Sequence, residues 1–579
     1  MHARHTSTRG SLWLLSSLVA ASSGCGLILG LGDFKDDNGA TTNGGTAGGG
    51  GNAPMSSGSS DVDPGCSGAG AATCACTPMT QASCYTGATT TKNVGACKEG
   101  VHVCKADGLG YEACMGEVLP ATEDCSNQID DDCDGSACAA VEKKVILAGG
   151  QIDQQFGEGI YMAVAASGDV YVAGGTSVSL NFGGGPLVPV GQKDVFLAKY
   201  DKDLNLQWAK YFGDSSSQHA DAIAVDPKGN VVIAGLYNGV LDFGGGFSLA
   251  PKAGATPFFV AKFDPTGAPI AAKSIGATPY TRCFDLAADS KGNVILSGAY
   301  AGPTGPTTLD FGNSVTVTSA GGTDVYVWDS FVAKLDANTL SGQWARGFND
   351  PNAEWTTFNI AVDPVDSLLL AGDFGGTINF VGVNAKADGP RDAFALKLDA
   401  AGNRAWFKHW GYFGRSQSIA DVATDPAGDM VFVGRMDGAF DFPESGDSYP
   451  DYKGGVVVKY SAAGTYVYSQ FFDGSFPRGV SLASPGDILV GGGLNQSVDF
   501  GGGKLPYTGG GDVFLGKRAP GGKYPWAKSF GNAEAYAQIA NIGAGPTAHL
   551  YVAGTITSGQ LDLGDGKAGP GYFLARFGH

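Results

Sequence analysis

The stretch Val225-Asp-Pro-Lys-Gly-Asn-Val-Val-Ile-Ala-Gly235 reads as a strand end, a tight turn and a second strand. β-Branched residues fill the strand, and Asp-Pro-Lys-Gly supplies the turn chemistry. The pattern recurs at Ser167–Gly174, Asp289–Gly298, Asp363–Gly372, Asp425–Gly434, Pro485–Gly492 and Ala548–Gly554, which makes seven copies. The closing glycines at 174, 235, 298, 372, 434, 492 and 554 are 61, 63, 74, 62, 58 and 62 residues apart. Solenoid repeats run nearer 20–45 residues, so a longer unit with several strands points to a ring of propeller blades.

Each unit contains four extended pieces. In the second unit the first ends in Ala222-Ile-Ala-Val-Asp226 and the second is Val231-Val-Ile-Ala234. The third carries an aromatic-hydrophobic-Ala-Lys pattern, as at Phe196–Lys199, Phe259–Lys262, Phe331–Lys334 and Phe514–Lys517, ending with Phe573–Arg576. The fourth begins near Trp208, Trp344, Trp406 or Trp526. Asn181, Asp242, Asp310, Asn379, Asp441, Asp499 and Asp562 each precede an aromatic or Leu residue, in most units before a Gly-rich turn; structural turn chemistry is the expected reading. The last unit stops after its third strand, and Lys143-Lys-Val-Ile-Leu-Ala-Gly149 precedes the first. This orphan segment is expected to pair beside residues 571–577 and latch the ring, which removes an open sheet edge. The fold class is therefore all-β: a seven-bladed β-propeller with four-stranded blades over residues 143–579, preceded by a small disulfide-rich module over 66–142.

With these motifs in hand, the units resemble the seven-bladed β-propeller repeat (SBBP) family of bacterial surface proteins. The resemblance implies a propeller in an exported setting and no assigned reaction.

The chain of 579 residues carries a net charge of −19, which repels phosphate backbones and excludes nucleic acid as an expected partner. Glycine reaches 93 residues, well above the usual ~7%, with no Gly-X-Y period that would indicate collagen. The first 24 residues read as a signal peptide: Arg4 and Arg9, then the apolar Leu12–Ala21, too short to span a bilayer comfortably. Ser22-Ser23-Gly24-Cys25 resembles a bacterial lipobox, with Ser22 where that motif prefers Leu. The resemblance implies acylation of Cys25 and, because Gly26 follows it, an outer-membrane or cell-surface lipoprotein; plain secretion is the alternative. Residues 25–65 form a Gly/Ser/Thr-rich tether that cannot bury enough apolar surface to fold.

Ten of the twelve cysteines crowd between positions 66 and 138: Cys66, Cys74, Cys76, Cys84, Cys97, Cys104, Cys114, Cys125, Cys133 and Cys138. Aliphatic residues are scarce there, so disulfides are expected to do the work of a core. Spacing groups Cys84, Cys97, Cys104 and Cys114 in one part and Cys125, Cys133 and Cys138 in another. Zinc at Cys74-Ala-Cys76 is the lesser alternative. In Cys125-Ser-Asn-Gln-Ile-Asp-Asp-Asp-Cys-Asp-Gly135, the oxygens of Asn127, Asp130, Asp131, Asp132 and Asp134 could surround a Ca²⁺ ion. Val141 stands where an EF-hand loop would place Glu, so a helical EF-hand is not expected. The whole segment also resembles a metal-binding module found beside repeats in bacterial surface proteins.

Repetition in every blade argues for architecture, so sites are sought where the copies differ. Aligning the first strands gives a column Ala222, Asp285, Asn359, Asp421 and Gly479, of which Asp285, Asn359 and Asp421 could face the channel mouth. No Gly-x-Ser-x-Gly, His-Glu-x-x-His or phosphate loop is present. The expected function is non-catalytic: a monomeric surface lipoprotein, held to the membrane by its lipid, whose propeller binds an extracellular polymer or protein. The alternatives are a hydrolase or lyase acting on extracellular polymers, and a purely structural envelope protein.

Overall fold

The computed structural model describes residues 76–121, parts of 129–147, and 159–578, apart from residue 90 and short loop segments of which 321–327 and 349–355 are the longest. Cys25 and the tether lie outside the described residues, as do Cys66, Cys74, Cys125, Cys138, Asn127, Asp132 and Asp134.

Seven four-stranded antiparallel sheets make up the propeller, and the described residues contain no helix. Blade 2 shows the plan. Gln218–Val225 pairs with Val231–Tyr237, which pairs with Phe258–Phe263, which pairs with Pro269–Ile275. Val231, Val232, Ile233 and Ala234 are all fully buried. A second strand covered on both faces by neighbouring blades must be apolar throughout, which explains why its sequence runs without alternation. Aromatic side chains fill the space between sheets, as where Phe243 packs on Phe259 and Phe263. The first strands of successive blades pack side by side around the axis, and Tyr536–Ala544 of blade 7 lies against Ile160–Val164 of blade 1.

Blade 7 closes the ring as expected. Its outer strand is Val141–Ile146, which pairs antiparallel with Gly571–Phe577. Tyr551 Oη then donates to the carbonyl of Lys202 in blade 1 at 2.7 Å, and Tyr572 Oη to that of Gly175 at 3.2 Å.

The opening turn has a further role beyond direction reversal. Asp226 accepts backbone N–H bonds from Lys228 and Asn230, and its second oxygen meets Lys262 Nζ at 2.8 Å. The same Asp–Lys pair joins the first turn to the third strand in five other blades: Asp169–Lys199, Asp289–Lys334, Asp363–Lys397, Asp425–Lys459 and Asp487–Lys517. The lysine column is therefore ion-paired rather than solvated. Lys262 Nζ also donates to Gly292 O and Ala337 O in blade 3, so the clasp spans two blades. Trp208, Trp344 and Trp406 do likewise, each donating Nε1–H to a turn carbonyl of the following blade.

The Asp/Asn-aromatic element proves to be turn chemistry, as expected. Asn181, Asp242, Asp310, Asn379, Asp499 and Asp562 each accept a glycine N–H two or three residues on, capping a small hairpin between the second and third strands. Blade 5 differs: its second and third strands continue as one long pair, Met430–Asp441 with Ser448–Tyr460.

Among the described residues of the N-terminal module three disulfides are formed: Cys76–Cys104, Cys84–Cys114 and Cys97–Cys133. The third corrects the grouping drawn from spacing, because it joins the two parts that were kept separate. Chain proximity misleads here because Ala96 N bonds to Asp130 O, which brings the acidic loop beside Cys97. Cys76 is in a disulfide, which removes it from a zinc site. Cys283 is in no disulfide and is buried in the propeller.

Candidate functional site

The first strands carry an irregularity that the sequence does not display. In blades 2, 3, 5, 6 and 7 the pairing slips by one residue, leaving Asp221, Phe284, Ala420, Arg478 and Ala540 as bulges. Such bulges re-aim the neighbouring side chains.

Just beyond the bulge lies the candidate column. Register places Tyr161, Ala222, Asp285, Asn359, Asp421, Gly479 and Asn541 at one level, so the sequence column is correct and lacked Tyr161 and Asn541. Its polar members tie blades together. Asp285 accepts from Ile360 N of blade 4 at 2.7 Å, and Asp421 from Val480 N of blade 6 at 2.9 Å. Asn359 donates Nδ2–H to Ala420 O of blade 5, and Asn541 accepts from Met162 N across the ring closure. The second oxygens of Asp285 and Asp421 accept from Leu286 N and Val422 N. Burial pushes both carboxyls up to about 7 against the pull of these N–H bonds, and the charge of Asp285 raises Asp421 further.

One step nearer the start of the first strands, chemistry varies from blade to blade. His219, Arg282, Ser418, Phe476 and Gln538 each stand opposite the residue that follows the repeated glycine. This level lies at the end of the first strands where the fourth-to-first-strand connections and the inserted hairpins gather. His219 Nε2 lies 3.3 Å from Asp221 Oδ1, and its Nδ1 is buried with no hydrogen-bond partner. The Arg282 guanidinium stands over the Trp328 ring, 5.6 Å from the centroid. Across two blades, Arg435 stacks on Phe476 at 4.9 Å, and its Nε is buried without a partner. Burial lowers the pKa of Arg282, Arg435 and Arg478, opposed only in part by Asp221, Asp437 and Tyr536 respectively. The rim beside blade 5 carries Tyr412 and Phe413, the latter 86% exposed.

Sequence reasoning did not reach this ring. The only signal was divergence among copies, and the unseen bulge moved the divergent residues out of simple alignment. Of the acidic loop, Asp130 is buried and Asp131 half-buried, with Cys133 Sγ on their backbone carbonyls. The described residues contain no cluster of three or more potential metal ligands.

The fold and ring together define the class: a seven-bladed propeller with a chemically varied channel mouth. No family profile matches the chain. It is similar to an uncharacterized WD repeat-containing protein of Acanthamoeba polyphaga mimivirus, 28% identical over 223 residues, covering 33% of this chain and 15% of that relative. The chain thus spans a small part of that protein's length. Among solved structures, it is similar to the Dos1 propeller at a TM-score of 0.36 and 10% identity, covering 76% of this chain and 95% of that one. YCF48 bound to D1 peptide gives 0.34 and 7%, covering 76% and 97%. The Hadza microbial sialidase Hz136 gives 0.32 and 11%, covering 57% and 62%. Scores this low carry no functional argument.

Proposed function

We propose that the protein is a non-catalytic, cell-surface binding platform whose ligand site is the channel mouth ringed by His219, Arg282, Ser418, Phe476 and Gln538. The observation that supports this reading is where variation falls. Clasps and hairpin caps repeat from unit to unit, whereas the mouth residues of blades 2, 3, 5, 6 and 7 all differ. Both oxygens of Asp285 and of Asp421 are engaged by backbone N–H groups, which favours structural duty over proton transfer. We place the chain, within the same proposal, among SBBP-type surface proteins, anchored through acylated Cys25 and carrying a Ca²⁺ site at Asp130, Asp131, Asp132, Asp134 and Asn127 of the disulfide module. Disulfides agree with an oxidising, extracellular setting.

A screen of glycans, envelope polymers and surface proteins against the full chain, with turnover followed in parallel, tests the platform. Binding without turnover is expected. Release of product from a bound polymer would move the protein to the hydrolase or lyase reading. The anchor is tested by fractionation: Cys25→Ala should leave the membrane fraction.

A further inference from the structure

We propose that the seam between blades 1 and 2 binds a hard divalent cation of the Ca²⁺ class, held by Asp194 Oδ1 and Gln218 Oε1 with Asp214 as the second charge. The site is distinct from the acidic loop of the N-terminal module, and it does not depend on what the channel mouth binds.

Asp194 opens the third strand of blade 1 and is fully buried. Its Oδ2 accepts Val190 N–H at 2.6 Å, whereas its Oδ1 is buried with no hydrogen-bond partner. Gln218, also fully buried, opens the first strand of blade 2. Its Nε2 donates to Asp214 Oδ1 at 2.7 Å, and its Oε1 is buried with no partner either. The two orphaned oxygens converge. A side chain grown from Gly213 would place its first carbon 2.3 Å from Asp194 Oδ1 and 2.9 Å from Gln218 Oε1. The oxygens are therefore no more than about 5 Å apart, a span that one Ca²⁺ with oxygen bonds of about 2.3–2.6 Å bridges. Gly213 has no positive φ, so room beside these oxygens, not backbone freedom, calls for glycine here. Turning the Gln218 amide over does not supply the missing donor. Its N–H groups would face Asp194, and two acceptor oxygens would then meet at Asp214.

Other blades show how such an aspartate is satisfied by protein alone. Gly531 faces Asp512 in blade 6 and Gly411 faces Asp392 in blade 4, as Gly213 faces Asp194. In blade 6 Thr508 gives Asp512 both its N–H and its hydroxyl. In blade 4 Asp392 takes N–H groups from Asp388 and Gly389, and His409 Nδ1 stands 3.6 Å from it. Blade 1 has Val190 where blade 6 has Thr508, and Tyr211 where blade 4 has His409. It lacks both devices and brings up a second carboxylate, Asp214. Burial opposes the Asp214 charge, but bonds from Ser216, Val240 and Gln218 outweigh it and hold the carboxyl below its ordinary range. An unpaired buried carboxylate is costly, and surroundings made of oxygen select a hard cation. With an amide oxygen as one ligand, the site needs no cluster of three His, Cys, Asp or Glu side chains, and the described residues form none. Ser215 is exposed beside Asp214, so the connection carrying the second charge lies at the surface, where an ion enters. Asp194 and Asp214 also hold Val190 N–H and Val240 N–H, so the ion ties together rim loops of two blades.

Scanning calorimetry of the full chain, stripped with EDTA and then given CaCl₂ or NaCl at matched ionic strength, tests this. Saturating Ca²⁺ is expected to raise the propeller's melting temperature by about 3 °C or more, and NaCl to do less. Asp194→Asn supplies an N–H for Gln218 Oε1 in place of the ion. This variant should therefore fold without Ca²⁺, melt at or above the stripped wild type, and bind one Ca²⁺ fewer in an isothermal titration. A second variant separates the two calcium proposals: Asp130→Asn/Asp131→Asn, in the acidic loop, should keep the Ca²⁺ response of the propeller transition. A propeller transition that ignores Ca²⁺, an equal rise with NaCl, or an Asp194→Asn chain that binds as much Ca²⁺ as wild type would each overturn the assignment. Stabilisation of the stripped wild type by acid, with no Ca²⁺ response, would overturn it in favour of a proton shared between Asp194 and Gln218. None of these results bears on the reading of the channel mouth.

Discussion

Lys262 and Asp226, buried to 3% and 1% side-chain exposure, form a charged pair that closes the opening turn of blade 2. Burial acts to raise the Asp226 pKa, and the Lys262 pair together with the Asn230 bonds outweighs it and holds the carboxyl below its ordinary range. Lys262→Met should therefore cost about 3–5 kcal/mol, because a carboxylate is left buried without its counter-charge, while adding Asp226→Leu should restore most of the loss. Urea denaturation of the two variants checks this. The channel carboxyls have the opposite sign. Asp285 and Asp421 titrate near 7 in the folded chain and near 3.9 when unfolded, so the native state holds more protons between these values. Stability contributed by these groups is present below about pH 4 and is lost as pH rises to about 7. Asp285→Asn/Asp421→Asn carries a constant cost from lost N–H bonds, and its stability relative to wild type should climb as pH goes from 4 to 8. Both groups keep a partial opening to the channel, so the climb is on the order of 2 kcal/mol. A parallel pair of curves would refute it. At this scale the sequence showed Asp285, Asn359 and Asp421 on one level. It could not show that their partners were backbone groups of the next blade, N–H for Asp285 and Asp421 and a carbonyl for Asn359, since such partners leave no residue signature.

The strand Val141–Ile146 is the element on which ring closure depends. It covers the edge of Gly571–Phe577, and Leu147, fully buried, donates its N–H to Tyr572 O and packs among Phe196, Tyr551 and Tyr572. Deleting residues 141–147 exposes that edge and removes the burial of Ile146 and Leu147, each worth roughly 1.5–3 kcal/mol. The melting temperature should fall by several degrees, and the freed edge should drive concentration-dependent self-association visible by analytical ultracentrifugation. An unchanged melting temperature would show that three strands suffice in blade 7. The four strands and the hairpin caps were legible because they rest on local chemistry repeated along the chain, and the latch because the last unit lacks the fourth strand that the others have. Blade 5's long strand pair and the five bulges were not. Both are set by how a strand meets its neighbour, and Asp221, Phe284, Ala420, Arg478 and Ala540 share no residue type that would mark an extra residue.

Across the whole molecule, two means of stabilisation divide the chain. The propeller's described residues form seven apolar clusters between its sheets, and its one cysteine, Cys283, is in no disulfide. In the N-terminal module the buried apolar residues among those described are Cys97, Cys104 and Cys133 themselves, while Met79, Leu109 and Met115 are exposed. A segment that buries little besides its own sulfur depends on its cross-links, each worth typically about 2–4 kcal/mol. The propeller depends on none. Reduction should accordingly separate the two. In dithiothreitol, calorimetry should lose any transition belonging to residues 76–133 while the propeller's melting temperature stays within a degree or so of its oxidised value. Limited proteolysis under the same conditions should cut within 76–133 first and leave a resistant fragment beginning near the latch strand. The crossing bridge gives this experiment a second readout. Cys97–Cys133 ties the acidic loop to the rest of the module, so Cys97→Ala/Cys133→Ala should loosen Asp130 and Asp131 even when Cys76–Cys104 and Cys84–Cys114 remain. If Ca²⁺ restores protease resistance to that variant, the loop is a metal site that substitutes for the lost cross-link. If Ca²⁺ has no effect on the variant or on the wild type, the acidic run is a turn held by disulfide alone.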